Sequence, residues 1–199
     1  MTLTPALVRA FAQHMSKLYR ARLASKADAA EMKLAAAFVG AFASIEPGDF
    51  LTRWATTLGS TVYLPFEPGD SEDPARLWGQ VLTITHECQH VAQHEREGLN
   101  YPWTYATKPA RRALWEAEAY RTASTLWFWR HGWVLDPSEI LAPLASYGLG
   151  AHERAVAERY LRLSLVSIRR GLILDAAART AVRWLEGNVP ELRDAHLRR

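Results

Sequence analysis

The sequence predicts an α+β fold that is mostly α, with one small sheet and several flanking helices. Three observations lead there. Apolar residues recur three and four apart along most of the chain, strand-like alternation is confined to a short stretch around Thr61–Leu64, and glycines and prolines cut the remainder into pieces of helical length. The 199 residues, 49% of them hydrophobic, suffice for one sizeable core, and no Pro/Ser-rich linker or repeat divides them. A single domain over residues 1–199 is expected, with a central core at 50–133 and a helical extension at 134–199.

From the N-terminus, residues 5–23 and 27–45 carry helical spacing, are rich in Ala and contain few β-branched residues, so each is expected to be a helix. In Thr57-Leu58-Gly59-Ser60-Thr61-Val62-Tyr63-Leu64-Pro65, alternating β-formers stand between Gly59 and Pro65, which predicts a short strand. Asp73 followed by Pro74 is a helix start, a capping acid before a proline at the first helical position. Leu77, Val81, Ile84, Cys88 and Val91 then form an apolar stripe that runs until Gly98. A Tyr-, Trp- and Pro-rich loop is expected over 98–109, then a helix from Ala110 to His131 that stops at Gly132. Further helices are expected at 136–147, 152–170 and 172–186, separated by Gly148, Gly150 and Gly171.

Inside the helix after Asp73 lies His86-Glu87-Cys88-Gln89-His90, an HExxH pattern. A shuffled chain of this composition would contain it roughly 0.02 times, so the pattern carries information. On a helix the two histidines share one face, one turn apart, and can converge on a tetrahedral cation such as Zn2+. Glu87 points roughly 100° away from His86, where it can reach an attacking water without being a ligand, which is the position of a general base. Cys88 falls roughly 200° from His86, on the buried stripe, and is expected to be a small core residue. His94 continues the series but lies about 12 Å along the axis from His86, too far to share the same ion.

A catalytic zinc needs a third protein ligand and an open position. Glu116 and Glu118, on the following helix, point roughly 200° apart and cannot both serve. Glu116 shares its face with Ala119, Tyr120, Ala123 and Trp127, which suit close helix packing, whereas Glu118 is placed to pair with Arg121 in water. Glu116 is the expected ligand and Glu118 the alternative.

Taken in order, three segments resemble the gluzincin class of zincin metallopeptidases, in particular its compact bacterial members. Thr57–Pro65 is similar to the edge strand that lies above the active-site helix and pairs with extended substrate. His86-Glu87-Cys88-Gln89-His90-Val91-Ala92-Gln93 is similar to the HExxHxxQ helix, and Glu116-Ala117-Glu118-Ala119-Tyr120 to the ExxA pattern with a following Tyr, whose leading Glu is the third ligand. The resemblance covers Thr57 to His131. It implies a zincin-like core, a Zn2+ cofactor held by His86, His90 and Glu116, and hydrolysis of peptide or protein substrates with Glu87 as base. The oxyanion that forms during such a reaction needs a further electrophile, and Tyr120 and Tyr105 are the candidates, with Tyr101 a third.

Charge composition tests the rival classes. Lys+Arg number 24 against 21 Asp+Glu, a formal +3, with basic residues gathered at Ser167–Arg170 and Leu197–Arg199. Without helix-turn-helix spacing, zinc-finger cysteines or a long basic stripe, this excess does not predict nucleic-acid binding. A non-catalytic zinc-containing interaction protein or a nucleic-acid-binding regulator is the alternative reading, and the intact Glu87 argues against a purely structural metal. No apolar run approaches the ~18 residues of a membrane span, and the N-terminus lacks the pattern of a secretory signal. A lone cysteine excludes an internal disulfide framework. The expected location is the cytoplasm. Oligomeric state is not encoded in any of these features.

Overall fold

The computed structural model describes residues 2–26, 29 and 54–194. The helix expected at 27–45 lies outside the described residues apart from Ala29. The described chain is mostly helical, with a three-stranded sheet beside the helix that carries the HExxH motif.

Helix α1 spans Pro5–Leu18, with Pro5 in its first turn and the Thr4 hydroxyl accepting from the Leu7 amide at 3.3 Å. It buries Val8, Phe11, Ala12 and Met15. The expected continuation to Leu23 does not occur. The chain turns through Arg20 at φ 48° and becomes strand β1, Arg22–Ser25, which runs parallel to Thr61–Leu64. Helix propensity in Arg-Leu-Ala is here overridden by sheet pairing, beginning with the Arg22 amide donating to Ser60 O at 2.8 Å.

The segment read as one edge strand is a hairpin. Strand β2, Thr56–Leu58, joins strand β3, Thr61–Leu64, through Gly59-Ser60, and Gly59 sits at φ 60°, the backbone setting that a two-residue hairpin turn requires. β3 is therefore central, between β1 and β2, and buries Val62, Tyr63 and Leu64. The strand that reaches the motif helix from the sheet margin is β2.

Helix α2, Pro74–Glu97, begins as expected, with the Asp73 Oδ1 accepting from the Ala75 amide at 3.0 Å, and ends at Gly98, φ 67°. All five residues of its predicted stripe, Leu77, Val81, Ile84, Cys88 and Val91, are fully buried. The expected loop over 98–109 is largely ordered as a 3-10 turn and a short helix α3, Tyr101–Thr107. Burial of Tyr101 against Trp115, ring centroids 4.5 Å apart, supplies a tertiary reason that local sequence does not reveal. Helix α4 covers Pro109–His131 and is closed by Gly132 in the left-handed region. The helix expected at 136–147 is instead α5, Pro137–Ile140, followed by a 3-10 stretch, because Pro143 has no N–H with which to continue an α-helix. Helix α6 is Ala151–Arg169, and α7, Ala176–Asn188, starts four residues later than expected, after Asp175.

Helix α4 stands between two apolar clusters. Leu126 and Trp129 join the larger one, with α1, α2, α7 and the sheet, whereas Ala113 and Ala117 join the smaller one with Leu161, Leu165 and Ile168 of α6. Between them, the Arg121 guanidinium makes a two-pronged bond to Asp175, at 2.8 and 2.5 Å, and also donates to Tyr160 OH at 2.7 Å. This one side chain ties α4 to α6 and to the start of α7. Arg121→Ala leaves a buried carboxylate without its cation and should cost about 3–5 kcal/mol of folding stability, read as a lower urea midpoint at constant m-value. A midpoint equal to wild type would show that the pair contributes nothing net.

Candidate metal centre

His86 and His90 present their rings from successive turns of α2, with ring centroids 4.9 Å apart. Their Nε2 atoms are separated by 3.1 Å. Glu116 enters from α4, with Oε1 at 3.5 Å from His90 Nε2 and Oε2 at 3.7 Å from His86 Nε2. A tetrahedral ion bonded at the usual zinc–nitrogen and zinc–oxygen lengths requires donor atoms about 3.3 Å apart. The observed spacings bracket that figure.

Charge and burial also fit a cation. Glu116 is 1% exposed, and its Oε2 has no hydrogen-bond partner, an arrangement that costs free energy unless a positive charge compensates it. Burial pushes its carboxyl up, but His90 and His86 outweigh burial and hold it well below the usual carboxylate range. For His90, burial opposes the charged form, yet the Glu116 carboxylate prevails and the imidazole is raised to about 9. His86, His90 and Glu116 thus form a buried cluster, geometrically compatible with Zn2+, that has the donor set and spacing of a gluzincin-type site. It supports the assignment of a catalytic, zinc-binding enzyme.

The other residues singled out in the sequence take distinct places. Glu87 is buried beside the cluster and accepts a hydrogen bond from the Thr57 hydroxyl on β2, 2.7 Å from its Oε2. Cys88 is fully buried, and burial, aided by Glu87, pushes its thiol well up, which leaves it inert. His94 packs its ring against Tyr101, centroids 5.7 Å apart, and is not among the clustered ligands. Tyr105 donates to Glu116 Oε1 at 2.5 Å. Tyr120 sets its ring edge-on to His86, centroids 4.6 Å apart. Tyr101 lies behind His90, its hydroxyl 3.2 Å from the distal Nδ1, and so does not face the metal side.

Glu118 is not brought into the cluster. Its carboxylate is engaged by Arg96 at 3.0 and 3.1 Å and by Gln93 at 3.0 Å. The expected ion pair with Arg121 is present at 3.9 Å, but that guanidinium gives its hydrogen bonds to Asp175, so the shorter contacts to Glu118 come from Arg96 and Gln93. Two neighbours of the site have no role assigned by the sequence. Thr57 meets Glu87 across thirty positions, which no local pattern reveals, whereas Gln93, the last residue of the HExxHxxQ segment, lies one turn after His90, and asking what the His90 ring bonds to next points to it. A cavity of about 250 Å³ between α4, α6 and α7, lined by Phe128, Trp129, Ile168 and Val182, shares no residue with the cluster.

No family model matches the chain, and no curated protein or solved structure matches it.

Proton and metal compete for the same His90 nitrogen. With His90 raised to about 9, its pairing with Glu116 stabilises metal-free protein fully below about pH 6.5 and ceases to do so as pH climbs through about 9. Zinc uptake at pH 7 should therefore release about one proton, measured by titration calorimetry in buffers of different ionisation enthalpy. Buffer-independent heats would contradict this.

Proposed function

We propose that this protein is a zinc metallopeptidase that hydrolyses peptide bonds in peptide or protein substrates. The observation that carries the proposal is the buried triangle of two Nε2 atoms and a carboxylate, edges 3.1 to 3.7 Å, with a second, non-ligating glutamate next to it in the chain. A purely structural site has no use for that second carboxylate.

His86, His90 and Glu116 would hold the ion. When bound, zinc supplies Lewis acidity, polarising the scissile carbonyl and making water nucleophilic at neutral pH. Glu87 accepts the proton of the attacking water and returns it to the leaving nitrogen. The Thr57 hydroxyl occupies Glu87 Oε2, which fixes the carboxylate plane and leaves Oε1 for the water. Because Thr57 sits on β2, the strand that aligns the base is also one of the two outer strands among the three described, suited to main-chain pairing with an extended peptide. Tyr105 and Tyr120 flank the ligands from α3 and α4 and are the proposed stabilisers of the oxyanion.

The test is the metal content of purified protein, with activity on a mixed peptide library before and after chelation. Glu87→Gln should retain wild-type zinc and lose essentially all turnover. Peptide cleavage that survives this substitution, or a wild-type protein that takes up no zinc, would sink the proposal. The two tyrosines are separated by phenylalanine substitution. The one that steadies the oxyanion should lose about 10²–10³-fold in kcat with zinc content unchanged, and loss at neither position would remove both from that role.

A further inference from the structure

We infer that Gln93, anchored by Glu118, is the positioning residue that commits His90 to presenting its Nε2 toward the metal, an inference that rests on the metal-site reading above. Gln93 is fully buried, and both ends of its amide are engaged. Its Nε2 lies 2.9 Å from the Trp115 carbonyl oxygen, an atom that can only accept, and 3.0 Å from Glu118 Oε2. The amide nitrogen must therefore face α4, which turns the amide oxygen toward His90.

That oxygen stands 2.8 Å from His90 Nδ1 and receives the Tyr101 hydroxyl at 3.2 Å. An acceptor in this place demands a proton on Nδ1. The neutral ring then keeps its lone pair on Nε2, the atom 3.1 Å from His86 Nε2 and 3.5 Å from Glu116 Oε1. Were the amide turned over, its NH2 group would ask Nδ1 for the lone pair and place the proton on the metal-facing nitrogen. Glu118 opposes that inversion. Its carboxylate is held by both terminal nitrogens of Arg96 and also accepts from Gln89 at 3.3 Å, so it offers Gln93 a fixed acceptor. Glu116 and Glu118, two residues apart on α4, thus act on one centre from opposite sides, the first directly and the second through Gln93 and His90.

The experiment uses Gln93→Leu, which keeps most of the side-chain volume and removes both hydrogen-bonding ends. Two quantities are read: Zn2+ affinity by chelator competition, and the ring ¹⁵N shifts of His90 in metal-free protein, followed to the alkaline plateau at which they no longer change with pH and the ring is neutral. Wild type should show the Nδ1–H form. The variant should lose that preference and bind Zn2+ about 10–100-fold more weakly. An unchanged tautomer, or an unchanged affinity where wild type binds Zn2+, overturns the inference. A wild type that binds no Zn2+ yet shows an Nδ1–H form abolished by the substitution removes the metal-site reading and leaves the Gln93 assignment standing. Should Gln93→Leu fail to fold, Glu118→Gln decides by the same readouts. A several-fold weaker Zn2+ affinity supports the relay, and an affinity equal to wild type overturns it.

Discussion

A carboxylate buried where two helices pack is the constraint around which this molecule is organised. Glu116 is shielded from water at the contact of α4 with α2, and such burial is tolerable only where positive charge or strong donors meet it. The two imidazoles of α2 supply that complement. Their own approach, nitrogen to nitrogen at 3.1 Å, is unfavourable unless a proton or a cation lies between them. Each group makes the other's position sensible, and all three together make sense of a metal.

Support for this arrangement reaches outward in layers. Behind His90 stand Gln93, Tyr101 and Glu118, and behind Glu118 stands Arg96, so that charge fades gradually from the buried centre to the half-exposed guanidinium. On the other side, Arg121 locks α4 against α6 and the start of α7, which holds the Glu116 backbone at its proper height against α2. The sheet contributes through Thr57, whose hydroxyl reaches Glu87, and so links the strand margin to the residue that would carry the proton.

How much of this could be read from the chain depends on the range of the interaction. The span of α2, its Asp73 cap, its Gly98 stop and its five-residue stripe were legible because each is a local or periodic feature. The convergence of His86, His90 and Glu116 was legible because helix geometry fixes which faces can meet. Strand β1 was not, since Arg22–Ser25 has helical composition and becomes a strand only by pairing with residues thirty-nine positions away. The same holds for the turn at Gly59, which divides the Thr57–Pro65 segment between two strands, and for α3, whose order derives from Tyr101 stacking on Trp115. The Glu118–Arg121 ion pair, three residues apart on one helix, is legible and forms at 3.9 Å, whereas the hydrogen bonds from Arg121 to Asp175, fifty-four residues downstream, and from Arg96 to Glu118 leave no local trace.

The seclusion of Cys88 bears on which ions the centre would accept. With that sulfur sealed in the hydrocarbon interior on the reverse side of α2, the donors gathered among the described residues are two nitrogens and a carboxylate, a borderline set without a soft partner. Monovalent copper, which seeks thiolate, finds little to hold it there. Divalent copper, by contrast, would be bound at least as tightly as zinc by the same atoms, so the occupant inside a cell would be decided by supply rather than by the protein's preference.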